Sequence, residues 1–278
     1  MPYNYSWDAA FNPGKAQDFF QGNDLQPFKE EKCTFSSTNA WWLSEFSRLI
    51  YARGNLTAGD IGQTTVRNRF LHQVGFEECW FYNGRVVQCA IIRPLPEQGK
   101  SYSILVFRGT RRGFSNWLFI LNFFLSPWPA GGNVHNGFKR VLLQAWEEIE
   151  AQLNRFSGPI YYTGHSLGGA LAVLAATLKK PNAVYSFGAP RMADTEFLQA
   201  ARHLNIYRVV NSKDIVASVP PIPGVLHVGE PHLLADSKKV HGRRFWYDAP
   251  VFLADHSSSN YSFQIVQHAG GSLCPPGK

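Results

Sequence analysis

The chain has 278 residues, of which 45% are hydrophobic and 17% charged, so it is long enough to bury a full core and its composition excludes a disordered chain. The formal net charge of +7 is scattered and accompanies no nucleic-acid-binding motif, so we interpret it as solvation, with attraction to acidic lipid as a lesser alternative. No apolar run predicts a membrane-spanning helix, and the first residues lack a signal-peptide pattern, as expected of a cytoplasmic or a mature secreted protein.

The first 36 residues are rich in Gly, Pro, Asn and Phe and show little periodicity. We expect them to wrap over the surface of a single domain that spans residues 1–278. Apolar residues at helical spacing then predict a helix over 39–51, with Ser37 or Thr38 as its N-cap. Trp41 and Trp42 in this helix are interpreted as core residues rather than ligand contacts.

Two strand-like segments, 76–82 and 86–92, flank Asn83-Gly84 and predict a β-hairpin. Cys79 and Cys89 lie on its two strands. A two-residue turn would place these side chains on opposite faces, whereas an odd-length loop or a bulge would bring the sulfurs together. Free thiols are the expected state. The cysteine spacing also excludes the usual zinc patterns, and neither a metal nor a cofactor is predicted.

Beyond the hairpin, strand and helix patterns alternate. Strands are predicted over 102–107, 160–163, 183–187 and 206–210, and helices over 138–156, 170–178 and 194–202. This alternation is typical of an α/β fold with a mostly parallel central sheet and helices on both faces. The hairpin would form the antiparallel edge of that sheet.

The sequence Gly164-His165-Ser166-Leu167-Gly168 lies between a predicted strand and a helix of small residues. This is the Gly-x-Ser-x-Gly pattern of a nucleophile elbow in its strand–turn–helix context. The glycines allow the sharp turn, and Ser166 would adopt a strained backbone that exposes its hydroxyl. The N–H of Leu167 would point outward at the helix N-terminus. The alternative is an ordinary Gly/Ser-rich turn before a helix.

A serine nucleophile needs a base, and the base needs an acidic residue to orient it. Asp214 follows an apolar strand, where such a carboxylate is expected, although it could also be a turn aspartate that caps the next segment. Of the histidines that follow, His256 is favoured because it precedes a polar, serine-rich loop. The others are His227, His232, His241 and His268.

Five segments and two further sites occur in a characteristic order: 107–110, 134–138, 163–170, 187–191 and 207–214, then Asp255-His256 and Tyr261. In these residues the chain resembles the class 3 lipases, the fungal-type triacylglycerol lipase family and its bacterial relatives. The resemblance runs from about residue 40 to residue 261. It implies an α/β-hydrolase fold and ester hydrolysis through an acyl-enzyme. The implied roles are Ser166 as nucleophile, Asp214 as acid, His256 as base, and Thr110 and Leu167 as oxyanion-hole donors.

The resemblance also implies a lid in residues 111–129, which form the segment densest in large apolar residues. Phe114, Trp117, Leu118 and Phe119 are expected to form an exposed or movable surface that meets lipid at an oil–water or membrane interface. Family members usually carry an aspartate where this chain has Ile120. The lid is therefore expected to be unusually apolar.

In secreted fungal members a disulfide ties the N-terminal region to the C-terminal tail, and Cys33 and Cys274 stand where such a bond could form. The missing signal peptide argues against it. Three further residues receive structural interpretations. His135 is expected to orient local backbone, His165 to be a packing residue, and Asp255 to point away from His256 as a loop cap.

The leading functional hypothesis is a carboxylic ester hydrolase, a lipase that acts on acylglycerols. A phospholipase A1 or a feruloyl-type esterase would use the same machinery, and the apolar lid favours acyl chains over aromatic acids. A lipase-like binding protein without activity is the non-enzyme alternative. Such proteins usually lack a triad member or the oxyanion residue, and none is missing here. No nucleic-acid partner is expected, and the sequence does not predict an oligomeric state.

Overall fold

The computed structural model describes residues 3–21, 26–52, 66–109, 124–234 and 245–269. The strands are β1 (Phe76–Asn83), β2 (Gln88–Pro94), β3 (Ser103–Phe107), β4 (Leu125–Pro127), β5 (Asn133–His135), β6 (Ile160–His165), β7 (Ala183–Phe187), β8 (Ile206–Asn211) and β9 (Glu230–Leu234). The α-helices are α1 (Trp7–Phe11), α2 (Ser37–Leu49), α3 (Val66–Gln73), α4 (Asn136–Leu143), α5 (Trp146–Leu153), α6 (Leu167–Leu178), α7 (Thr195–Ala201), α8 (Val251–Ala254) and α9 (Ser258–Ala269).

The central sheet has seven strands in the order β1-β2-β3-β6-β7-β8-β9. The pairs β1·β2 and β2·β3 are antiparallel, and each later pair is parallel. This confirms the predicted α/β architecture with the hairpin at one edge. Because β6, β7 and β8 run in the same direction, the residues that follow them meet at one edge of the sheet.

Hydrophobic residues pack against both faces of the sheet, which explains why its strands read as nearly continuous apolar runs. Consecutive side chains of a strand point to opposite faces, so Tyr162 packs with Leu142, Ile149 and Leu171 of α4, α5 and α6. Tyr161 lies on the other face in the core that includes Phe46 of α2. The central strands therefore have little freedom to shift at the carboxyl edge.

The N-terminal residues contribute to that second core. Phe19, Phe20 and Phe28 are buried in it beside Trp42. Trp41 and Trp42 are both buried, in agreement with their interpretation as core residues. Among the described residues, no helix is long and apolar enough to cross a membrane.

Two helix predictions were wrong in detail. The helix predicted over 138–156 is divided into α4 and α5, because the Ala145 N–H bonds to Leu142 three residues back instead of continuing the helical ladder. The apolar spacing continues through the break, so the sequence pattern does not reveal it. Helix α2 begins earlier than predicted, and its N-cap is Ser36, whose hydroxyl accepts the Asn39 N–H at 3.3 Å.

The hairpin contains a bulge between Glu78 and Trp80, and residues 84–87 form its loop. The bulge brings Cys79 to the same core as Cys89, but both remain free thiols, as does Cys33. Burial raises the pKa of Cys79 to about 11, which keeps its thiol protonated and unreactive at neutral pH. Cys274, the partner that the resemblance implies for Cys33, lies outside the described residues.

Candidate active site

Ser166 occupies the single residue between the end of β6 and the start of α6. Its backbone is strained, with φ 59° and ψ −126°, and its N–H bonds to the Phe187 carbonyl at 2.8 Å. A Cβ at Gly164 would lie 2.3 Å from the Gly168 carbonyl carbon, and one at Gly168 would lie 2.2 Å from the Phe107 oxygen. Only glycine fits these positions, so the turn has the sharp geometry expected of a nucleophile elbow.

Asp214 and His256 converge on this serine from two other parts of the chain. Asp214 lies in the loop after β8, and His256 lies between α8 and α9. The His256 Nε2 atom is 3.0 Å from the Ser166 hydroxyl, and its Nδ1 atom is 3.0 Å from both carboxylate oxygens of Asp214. All three side chains are buried. The structure thus brings the predicted nucleophile, base and acid into one hydrogen-bonded row.

Two further donors fix the Asp214 carboxylate. The Tyr261 hydroxyl donates to Oδ2 at 2.6 Å and the Val216 N–H donates to Oδ1 at 2.8 Å. Burial raises the pKa of Tyr261 well above its ordinary value, so the phenol keeps its proton. Because the His256 Nδ1 atom faces the two acceptor oxygens of Asp214, we assign the ring proton to Nδ1, so that Nε2 accepts the proton of Ser166.

His165 links the elbow to residues 255–257, the segment between α8 and α9 that carries His256 and is here named the histidine loop. The sequence interpretation missed this role. Its Nε2–H donates to the His256 carbonyl at 2.6 Å, and its Nδ1 atom lies 3.3 Å from the Tyr51 hydroxyl. Burial and the neighbouring His256 hold the pKa of His165 well below its ordinary value, so the ring is neutral. His165 is therefore a hydrogen-bonding residue as well as a packing residue.

Asp255 anchors the other side of the same loop. Its carboxylate accepts the Lys213 N–H at 3.3 Å and the Tyr3 hydroxyl, and its carbonyl accepts the Asn211 side-chain amide at 2.7 Å. Its carboxylate thus has partners other than the His256 ring, as expected. It ties together segments distant in sequence, however, and is more than a local cap. No local pattern in the sequence signals these contacts.

The backbone beside the Ser166 hydroxyl is suited to stabilising a negative charge that develops on a substrate oxygen. Leu167 is the first residue of α6, where a backbone N–H has no acceptor within the helix, and the Ser166 side chain makes no capping hydrogen bond. A Cβ at Gly109 would lie 3.4 Å from the Ser166 Cβ, so the end of β3 runs beside the nucleophile. Thr110 and the lid residues Phe114, Trp117, Leu118 and Phe119 lie outside the described residues.

Four more of the described histidines, His135, His227, His232 and His268, have separate surroundings. His135 caps α4 by accepting the Gly137 N–H at 3.1 Å, and burial lowers its pKa to about 4. His232 stacks on Phe35, His268 bonds within α9 to Gln264, and burial lowers the pKa of His227 to about 4. His241 lies outside the described residues. Within the described ranges, no cluster of His, Cys, Asp or Glu could hold a metal ion.

Comparisons with known proteins agree with this geometry. Residues 104–224 match the family model described as Lipase (class 3). A lipase of Rhizomucor miehei is 35% identical over 152 residues, which cover 48% of this chain and 42% of the relative. Residues 104–224 are thus similar to the class 3 lipases.

A second relative is a chloroplastic phospholipase A1, Igamma2, of Arabidopsis thaliana, which is 38% identical over 112 residues, or 34% of this chain and 20% of the relative. The chain thus spans less than half the length of these curated relatives. The solved triacylglyceride lipase of Rhizomucor miehei superposes with a TM-score of 0.52 at 27% identity and covers 59% of this chain and 69% of that one. The fold is that of the α/β-hydrolases.

Proposed function

We propose that this protein is a serine ester hydrolase, a lipase that cleaves acylglycerol esters through an acyl-enzyme. The observation that carries the proposal is the hydrogen-bonded row in which His256 lies 3.0 Å from the hydroxyl of Ser166 and 3.0 Å from the carboxylate of Asp214. A histidine between a serine and a buried carboxylate is the arrangement that activates a hydroxyl for attack on an ester carbonyl.

In the first half of the reaction, the Ser166 oxygen forms a bond to the ester carbonyl carbon while His256 Nε2 takes the hydroxyl proton. Asp214 stabilises the resulting imidazolium through its bond to Nδ1–H. The carbonyl oxygen gains the negative charge, which the backbone N–H of Leu167 and the donors of Thr110 would stabilise. When the ester C–O bond breaks, the alcohol leaves with the proton from His256, and the acyl group remains on Ser166.

In the second half, a water molecule attacks the acyl carbon and gives its proton to His256. The bond between the acyl carbon and the Ser166 oxygen then breaks, the fatty acid leaves, and the serine regains its proton. Loss of one oxyanion donor should cost roughly 3 kcal/mol of transition-state stabilisation. We include in the proposal a single domain over residues 1–278, with residues 111–129 as a lid whose Phe114, Trp117, Leu118 and Phe119 meet lipid.

Phospholipase A1 activity is the second candidate, because the Arabidopsis thaliana relative is a phospholipase A1. The match to the Rhizomucor miehei lipase is longer, 152 residues against 112, and the solved neighbour is a triacylglyceride lipase. These two observations favour acylglycerols as substrate. A feruloyl-type esterase is less favoured, since the apolar sequence between 111 and 129 suits acyl chains.

A fluorophosphonate probe tests the chemistry directly. The wild type should become covalently labelled and Ser166→Ala should not. A Ser257→Ala variant serves as the matched control, because Ser257 is a buried serine whose hydroxyl bonds to Ala9 at 2.7 Å instead of to His256. Labelling that is absent in the wild type would favour the inactive binding protein, and labelling that persists in Ser166→Ala would refute Ser166 as the nucleophile.

A substrate series separates the candidate activities. Triolein, tributyrin, phosphatidylcholine and methyl ferulate are compared at equal enzyme concentration, and the two triglycerides should be hydrolysed fastest. A preference for phosphatidylcholine would instead assign the phospholipase. Activity on tributyrin should also rise sharply above its solubility limit, and a smooth saturation curve through that limit would refute the proposed lid.

A further inference from the structure

Residues 245–248 form a tight turn, here named the aromatic turn. The Asp248 carboxylate accepts the Phe245 N–H at 2.6 Å, and the Asp248 N–H returns to the Phe245 carbonyl at 3.1 Å. These two bonds leave Trp246 and Tyr247 at the tip. The rings of Phe245 and Tyr247 stack with centroids 5.3 Å apart and planes 4° apart, so the tip has a defined shape.

The turn is attached firmly to the body of the protein. The indole N–H of Trp7 donates to the Tyr247 carbonyl at 3.0 Å, and the Ala249 N–H donates to the Tyr5 carbonyl at 2.9 Å. Trp7 in turn stacks on Phe11 of α1 with a centroid distance of 5.7 Å. Beyond Ala249 the chain runs directly through α8 to His256. The aromatic turn is therefore a fixed projection next, in sequence, to the histidine loop.

The side chains of this projection face solvent. Trp246 is 92% exposed, Tyr247 57% and Phe245 47%. Trp7, which bonds to the turn, and Phe252, which follows it in the sequence, are also about half exposed. A tryptophan at such exposure is costly to keep in water and contributes nothing to the core. A contiguous exposed aromatic patch is typical of an interaction surface.

The chemistry of the patch fits a lipid surface better than a protein. The exposed rings of the turn amount to on the order of 400 Å², whereas each partner of a stable dimer buries roughly 800 Å². Tryptophan and tyrosine are the side chains that favour the boundary between water and lipid. In the sequence, Arg243 and Arg244 directly precede the turn in a chain of net charge +7, which complements an anionic head-group layer.

We propose that the aromatic turn is a lipid-binding surface, which inserts Trp246 and Tyr247 into the head-group region of a membrane or lipid particle that carries anionic phospholipid. The aromatic turn is distant in sequence from residues 111–129 and is exposed in this structure, so it holds the protein at the interface before a substrate enters the site. The choice of a lipid partner rests on the proposed function, but insertion of the turn requires no catalysis.

The test measures vesicle binding in a Ser166→Ala background, so that hydrolysis does not alter the lipid. Sedimentation with sucrose-loaded vesicles of phosphatidylcholine and phosphatidylglycerol gives the partition coefficient. Trp246→Ala should lower it about tenfold, and Trp246→Ala with Tyr247→Ala should lower it further. Leu143→Ala is the matched control, since Leu143 is an exposed apolar residue on α4, and it should stay within about twofold. Pure phosphatidylcholine should bind more weakly than the mixed vesicles.

Hydrolysis of a soluble nitrophenyl ester by the corresponding variants without Ser166→Ala is measured in parallel and should equal that of the wild type. The lipid-binding proposal would be overturned if the Ser166→Ala protein did not bind the vesicles, or if the turn variants bound them equally well. This holds even where the soluble ester is hydrolysed normally. Vesicle binding without any hydrolysis would instead refute the proposed function and leave the surface standing. Turn variants that change sedimentation from dimer to monomer, with vesicle binding intact, would identify a protein interface and overturn the proposal.

Discussion

Ser166 and His256 lie 3.0 Å apart, yet the two sides of the site are held in different ways. On the elbow side, backbone atoms fix the geometry, because Gly164 and Gly168 let β6, α6 and the end of β3 approach without side chains between them. On the histidine side, side-chain hydrogen bonds fix it. These bonds come from Tyr261, His165, Asn211 and Tyr3, and they link segments that are far apart in sequence.

The difference determines what each side tolerates. A backbone-fixed turn accepts no side chain at its glycines, and a mutation there should act on folding. A loop fixed by several hydrogen bonds can lose one of them and remain in place with a changed position or mobility. Mutations on the histidine side should therefore act more on the rate than on the fold.

Removing either reactive group should have the largest effect and should not distinguish the two sides. Ser166→Ala is expected to lower kcat for a soluble ester by a factor on the order of 10⁶, because it removes the hydroxyl that lies 3.0 Å from His256 Nε2. His256→Ala should cost about as much, and the double variant no more, since the residues act as a unit. Stopped-flow and long-time assays of a nitrophenyl ester measure these rates. Losses that multiply in the double variant would contradict a shared mechanism.

The elbow glycines should give the next largest effect, and the effect should be on stability. In Gly164→Ala the new Cβ would lie 2.3 Å and 2.4 Å from the carbonyl carbon and oxygen of Gly168. These are backbone atoms held by two packed elements, so we expect a loss of about 4 kcal/mol or more in the free energy of unfolding. Urea denaturation measures it.

Gly99→Ala is the control for this experiment. Gly99 has φ +63° and no atom within 4 Å of its added Cβ, so it should lose only about 1–2 kcal/mol from backbone strain. Equal losses in the two variants would mean that the elbow is held by something other than close backbone packing.

The same contrast explains what the sequence could predict. The elbow is local, so Gly164, Ser166 and Gly168 identified it together with the strand and the helix on either side. No local sequence pattern identified the base or the acid. Asp214 and His256 had open alternatives on physical grounds, and the family resemblance was needed to favour them. The hydrogen bonds of Tyr261, His165 and Asp255 join residues tens of positions apart, and no spacing rule encodes them.

The prediction of the parallel sheet succeeded for a related reason. A strand buried on both faces reads as an apolar run whatever its neighbours are, so its existence is a local property. The break between α4 and α5 depends on how two helices share one core, and the bulge at Cys79 depends on the pairing with β2. Neither feature changes the hydrophobic periodicity of its own segment.

Tyr261→Phe tests whether the histidine side acts on rate. The variant loses the hydroxyl that donates to Asp214 at 2.6 Å and accepts the Asn211 N–H at 3.1 Å. A hydrogen bond to a charged group contributes about 1.5–3 kcal/mol, so kcat should fall about 10- to 100-fold while KM stays near the wild-type value. KM should stay the same because Tyr261 contacts Asp214 and not the substrate. Steady-state kinetics on a soluble ester measure both constants.

Tyr207→Phe is the matched control. Tyr207 is a buried tyrosine whose hydroxyl donates to the Cys33 carbonyl at 2.6 Å, on β8 but away from the carboxylate. Its loss should reduce stability by about 1 kcal/mol and leave kcat unchanged. A Tyr261→Phe variant with wild-type kcat and reduced stability alone would place Tyr261 among the structural residues.

The smallest expected effect concerns His165, which joins the two sides. Burial holds the pKa of His165 below the value of about 6.5 that an unfolded chain would have, so below that pH the unfolded state binds one more proton than the folded state. Stability is therefore complete above pH 6.5 and falls as the pH decreases, by about 1.4 kcal/mol per pH unit for this residue. His165→Gln keeps a donor for the His256 carbonyl and should remove that slope, which urea denaturation between about pH 5 and pH 7 measures.

His135→Asn separates this effect from simple loss of a buried histidine. Burial lowers the pKa of His135 to about 4, and asparagine can replace it as the cap of α4, so this variant should flatten the stability curve in the same direction down to about pH 4. It should not change kcat, because the His135 ring caps α4 through the Gly137 N–H and stacks on Phe138. His165→Gln should flatten the curve and also lower kcat, since the amide reaches the His256 carbonyl from a different angle. If both variants left kcat unchanged, the bond at 2.6 Å from His165 to the His256 carbonyl would contribute to stability alone and not to the position of the base.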